Sequence, residues 1–149
     1  MDMSTKGRYG VRALLDLAVN STGGNVVTLA SIANRQKISE GYLEQIISIL
    51  RKSGIVNGIK GPQGGYVLAQ PAGRIKMRQI LEILEGDLFI IKEDRVGIPD
   101  ADLMLYCIQQ VLWKPMLDAL SCANESITLQ DLVDAYSKIR ESTDPMYYI

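Results

Sequence analysis

The loop IKGPQGGYVL, residues 59–68, the cysteines Cys107 and Cys122, and the ending ESTDPMYYI hold the residue types best suited to chemistry. A glycine-rich loop cradles a phosphate when its N–H groups open onto the start of a helix. Here Tyr66, Val67 and Leu68 follow, residues that favour a strand, so the loop reads as the tip of a β-hairpin with Lys60 at its entrance. Hydroxyl or thiol nucleophiles paired with imidazole, and histidine–metal chemistry, are excluded because the chain has no histidine. No nucleophile–base pair and no metal set remains, so the expectation is a protein that is not an enzyme and carries no cofactor.

Charge is the more informative signal. The 149 residues, 47% of them apolar, suffice for one domain with a proper core. The net charge is −1, yet residues 1–86 hold 11 Lys or Arg against 6 Asp or Glu, and residues 87–149 hold 5 against 11. A basic front half suits an anionic polymer, and an acidic rear half does not. The start lacks a basic stretch followed by an apolar run, and no segment reaches the ~20 apolar residues of a membrane span. The expected location is soluble and cytoplasmic.

Periodicity supplies the elements that must position these charges. STKGRYGVRALLDLAVN places Val11, Leu14, Leu15 and Ala18 at helical spacing after Ser4 and Thr5, either of which suits a cap. The turn signal STGGN follows, and Thr28 opens a shorter helix with Leu29, Ile32 and Ala33 on one face. After QKI, Ser39 caps a third helix with the stripe Leu43, Ile46, Ile47 and Leu50, and Gly54 ends it. Two helices about three residues apart, then a glycine-tipped hairpin, outline a winged helix-turn-helix.

In that architecture the third helix enters the major groove, and the hairpin, or wing, follows the backbone toward the minor groove. Ser39, Tyr42, Glu44 and Gln45 occupy the early turns, where base edges are read. A carboxylate at a polyanion surface costs affinity unless it accepts from a cytosine amino group, so Glu44 fits discrimination. Arg51, Lys52, Lys6, Arg8 and Arg12 suit phosphate contacts. Thr28 at the second helix and Lys60, Gly61, Gln63 and Gly64 in the wing complete the DNA-facing set.

The segments STKGRYG, ISEGYLEQIISILRKSGIV and IKGPQGGYVLAQP resemble the signature segments of the Rrf-two family of bacterial winged-helix regulators, continuously over roughly residues 3–86. The resemblance implies a homodimer, a long dimerisation helix and a partly palindromic operator. It also implies base contacts by Tyr42 and Glu44 and a basic wing contact by Lys60. Gly41 departs from the serine found there in some relatives.

The second half is consistent with this outline. MRQILEILEG gives a fourth helix with Ile80, Ile83 and Leu84 buried, stopped by Gly86. Residues 87–99 read as a linker, which divides the chain into a DNA-binding domain, 1–86, and a region, 87–149, of linker, dimerisation helix, C-terminal helix and tail. From Asp100 a long helix is apolar on two faces, Leu103, Tyr106, Trp113, Leu117 and Leu120 on one and Leu105, Ile108, Leu112 and Met116 on the other. Two apolar faces need two covers, and a second copy of the same helix is the expected one. Pro115 is expected to kink or split it. TLQDLVDAYSKI closes with Leu129, Leu132, Val133 and Tyr136. The fold class is thus mainly α, a winged helix-turn-helix with a long dimerisation helix and a C-terminal helix.

Several members of the family hold an iron–sulfur cluster through three cysteines, and this chain has only two, expected to act as small buried apolar residues. The tail, with Met146, Tyr147, Tyr148 and the free carboxylate of Ile149 after a helix-breaking Asp-Pro, suits insertion into a partner's pocket. It resembles the tail of the cysteine-metabolism repressor branch of the family, the CymR branch. That implies cysteine synthase as a co-regulator of a repressor of sulfur and cysteine genes. The alternatives are an iron–sulfur or redox and nitric-oxide sensor of the same family, or an adaptor that binds protein without DNA.

Overall fold

The computed structural model describes residues 3–86 and 103–143. The expected linker, the first residues of the long helix and the tail residues Met146, Tyr147, Tyr148 and Ile149 lie outside the described residues. Mainly helical architecture with a winged helix-turn-helix is observed, in the order α1 (Thr5–Asn20), α2 (Leu29–Gln36), α3 (Glu40–Lys52), β1 (Val56–Ile59), β2 (Gly65–Leu68), α4 (Met77–Glu85), α5 (Leu103–Ile108), a π-helical turn (Gln109–Trp113), α6 (Lys114–Ser126) and α7 (Leu129–Thr143).

Each of the first three helices begins on a hydroxyl cap. Ser4 accepts from the Gly7 N–H, Thr28 from Ser31 and Ser39 from Tyr42, which satisfies one orphan donor at each start. On α1 the buried face is Ala13, Leu14, Leu17 and Ala18, while Val11 and Leu15 are only half-buried. The stripe is rotated from the expected one because α4 packs against the glycine side of α1. A Cβ on Gly10 would lie 2.2 Å from Leu84 Cδ1. The glycines of STKGRYG therefore permit close helix approach.

The turn between α2 and α3 puts Lys37 in the left-handed region, φ 56° and ψ 46°, and buries Ile38, whose N–H reaches the Ala33 carbonyl. α3 then buries Leu43, Ile46, Ile47 and Leu50 as expected. Each such residue contributes roughly 1.5–3 kcal/mol of burial, so turning α3 by one residue, about 100°, would forfeit several of these contributions. Its outward face is fixed by that arithmetic.

β1 and β2 pair antiparallel, Val56 with Leu68 through Ile59 with Gly65. A two-stranded hairpin is marginal by itself. Val27 supplies a third edge by exchanging both backbone hydrogen bonds with Tyr66, 3.0 and 2.7 Å.

From Leu103 to Ser126 the chain is helical without a break, so Pro115 does not split it. The turn before it widens to π spacing, with the Lys114 N–H reaching the Gln109 carbonyl. This shift of register accommodates the missing proline N–H. α6 packs on α4, and α7 packs on α1 and the Ala72–Arg74 turn. Leu129 is buried in the same core as α1, α3 and α4, Leu132 and Val133 pack against it, and Tyr136, expected in this stripe, is exposed. Cys107 and Cys122, expected to be buried, are both exposed in the protomer.

Candidate nucleic-acid interface

The α3 face left by its core stripe carries Glu40, Gly41, Glu44, Gln45, Arg51 and Lys52, all exposed. Ser39 begins it with a double duty, its oxygen accepting from Tyr42 N–H at 3.3 Å while its O–H stays available to donate. Tyr42 is half-buried, held edge-on by Tyr9 of α1 with ring centroids 6.1 Å apart at 76°. Arg12 lies 5.6 Å from the Tyr9 ring centroid. Tyr9 had no assigned role in the sequence. Its i, i+3 pairing with Arg12 is legible there, but its contact with Tyr42 is tertiary.

Helix and wing meet at Arg51. A Cβ on Gly58 would lie 3.9 Å from Arg51 Cδ and 3.7 Å from Tyr66 Cε1, so the arginine stem runs beside β1. At the tip, the Gly64 N–H closes a turn onto the Gly61 carbonyl at 2.9 Å. The glycines have different reasons to be glycine. A Cβ on Gly64 would fall 2.3 Å from the Ile59 carbonyl oxygen, and one on Gly65 2.6 Å from that of Val27. Both spaces are filled by the protein's own backbone. Gly61, at φ 112°, has nothing within 4 Å of the Cβ position and is the one open to an approaching surface. Lys60 and Gln63 beside it are exposed.

Thr28 caps α2 next to Val27, which joins the wing through Tyr66. Lys6 and Arg8 belong to the first turn of α1, where Arg8 donates to Thr5 Oγ1 at 3.4 Å rather than to α3 or the wing. Among the described residues, Lys6, Arg8, Arg51, Lys52 and Lys60 have no carboxylate partner. Arg35 is different. It forks onto Asp16 through Nε at 2.9 Å and Nη2 at 2.8 Å, which raises its pKa chiefly by that hydrogen bonding. An exposed polar helix face ending in Arg51 and Lys52, beside a glycine-tipped wing that carries Lys60, can bind phosphates and read base edges.

The comparisons with known proteins agree with this geometry. Residues 3–135 match the family described as "Rrf2: Iron-dependent Transcriptional regulator". The chain is 38% identical over 135 residues to the HTH-type transcriptional regulator IscR of Citrobacter koseri, covering 90% of this chain and 80% of that protein. Among solved structures, CymR (YrzC), the global cysteine regulator of B. subtilis, superposes with a TM-score of 0.77 at 35% identity, over 91% of this chain and 98% of that one. IscR of T. potens gives 0.76 at 37% identity, over 99% and 97%. The protein belongs to the Rrf2 family of winged-helix transcriptional regulators, which are not enzymes.

Proposed function

We propose that this regulator is a repressor of cysteine and sulfur metabolism genes that acts in the cytoplasm as a homodimer on a partly palindromic operator, with cysteine synthase as co-regulator. The observation that supports the DNA-binding part is the junction of α3 and the wing at Arg51 and Gly58, where Arg51 and Lys52 of α3 and Lys60 of the wing have no carboxylate partner among the described residues. Ser39, Tyr42, Glu44 and Gln45 read bases, while Lys6, Arg8, Thr28, Arg51, Lys60, Gly61 and Gln63 position the backbone, and Gly64, expected among them, instead shapes the turn that presents the wing tip. Residues 1–86 form the DNA-binding domain and 87–149 the region that pairs subunits and presents the tail. Lys60→Ala or Arg51→Ala should weaken binding to all sequences and reduce the salt slope by about 1. Glu44→Ala should chiefly relax base preference, and equal loss of affinity for every base would remove that role. Deleting Ile149 should abolish capture of cysteine synthase and leave DNA binding by the dimer intact.

The family description implies iron, and the donors here do not fit a cluster within one chain. Cys107 and Cys122 are its only two cysteines, it has no histidine, and fifteen residues of continuous helix hold them ~22 Å apart. Among the described residues no group of three or more His, Cys, Asp or Glu could hold a metal. The similarity to IscR favours a second reading, a sensor of iron–sulfur or redox status. Two cysteines per chain would leave it only a cluster shared between subunits. Visible absorbance after anaerobic purification decides between the two.

A further inference from the structure

A cleft of about 580 Å³ separates α7 from α1 and α2 on the side of the molecule carrying Arg35. That volume lies within the ~300–1,000 Å³ typical of small-molecule sites. Arg12, Arg35 and Arg140 line it with the phenol of Tyr136, and Leu15 and Val19 give it an apolar patch. Asp16 is the only carboxylate in the lining, and its oxygens are already occupied by Arg35, Gln36 and Asn20. Arg12 and Arg140 have no carboxylate partner among the described residues, so the cleft keeps two uncompensated guanidinium charges. Guanidinium groups bind carboxylates through paired N–H donors.

We infer that this cleft is an effector site for a small dicarboxylate, one carboxylate on Arg12, the other on Arg140 and Tyr136, and the carbon chain over Leu15 and Val19. The site is connected to the reading head. Arg12 lies against Tyr9, and Tyr9 packs edge-on against Tyr42 at the start of α3. A carboxylate on Arg12 competes with its hold on Tyr9, so occupancy changes how firmly Tyr42 is set. By linkage, operator binding must then change the ligand's affinity by the same factor. The coupling rests on the regulator reading above, whereas the ligand site does not.

Succinate is the probe, with sodium chloride at matched ionic strength as control. Melting of the full chain without DNA should shift upward by about 3 °C or more at a succinate concentration tenfold above Kd. Arg140→Gln should abolish the shift, and Arg140→Lys, which keeps the charge, should retain part of it. An equal shift in Arg140→Gln, no shift in the wild type at 20-fold higher succinate, or an equal shift with inorganic phosphate each overturns the site. A second titration follows a labelled operator by anisotropy with and without succinate. A wild-type protein that binds succinate and ignores every duplex refutes the regulator reading and leaves the site standing. Operator affinity that is unchanged at saturating succinate refutes the coupling alone.

Discussion

Asp16 is the only charged residue buried among the described residues, its side chain 2% exposed against 40% for its partner Arg35. A buried carboxylate is tolerated only when its lone pairs are filled. Here a bidentate guanidinium and the Gln36 and Asn20 amides fill them and tie the end of α1 to the end of α2. Removing one partner of a buried pair costs about 3–5 kcal/mol, and the half-open position of Arg35 brings the expected cost of Asp16→Ala down to ~2 kcal/mol. Urea unfolding should show this loss with an unchanged m-value. Loss below ~0.5 kcal/mol would mean that solvent already screens the pair. Asp16 stands out in LLDLA as a charge within an apolar run, but its partner, nineteen residues on, is invisible to periodicity.

At the scale of elements, α6 is tied to the start of α4 by ion pairs as well as by packing. Lys76 Nζ lies 2.5 Å from Glu125 Oε1, and Arg78 Nη1 lies 3.6 Å from Oε2. Hydrogen bonding by Lys76, then its charge and that of Arg78, lowers the Glu125 pKa below its ordinary 4.5. A carboxyl depressed on folding adds stability above its unfolded pKa, and loses it as pH falls through the folded value. Wild type should therefore melt above Glu125→Gln at pH 7, and the gap should close as pH drops below about 4. A gap that does not narrow as pH falls through the carboxylate range would assign the effect to packing. The helix these residues hold was legible in its apolar spacing. Its unbroken passage through Pro115 was not, because a π turn depends on which carbonyls remain to be satisfied.

At the scale of the molecule, the long helix is unfinished in one protomer. Leu103 is 68% exposed, Met104 80% and Val111 73%, with Ile108, Leu112 and Met116 also open. An apolar strip along ~20 Å of helix needs a cover, and a self-complementary one follows from two-fold pairing. Leu112→Glu would place a charge in that strip and should raise the dissociation constant of the proposed dimer at least tenfold, as read by sedimentation across concentrations. An unchanged dimer would move the interface elsewhere. A monomer that retains the wild-type helical signal would show that the mutation acts on pairing and not on folding.

The helix-turn-helix, the wing and the outward face of α3 are legible in the amino-acid order, because local spacing, hydroxyl caps and glycine positions act over a few residues. Composition also limited the sensing chemistry, since two cysteines and no histidine are matters of inventory. Tertiary structure alone decided that Tyr42 is held by Tyr9, that Gly64 and Gly65 face backbone while Gly61 stays open, and that α7 closes a cationic cleft over α1. These contacts join residues far apart in the chain, and their partners are chosen by which faces the core leaves adjacent, a quantity no local pattern encodes.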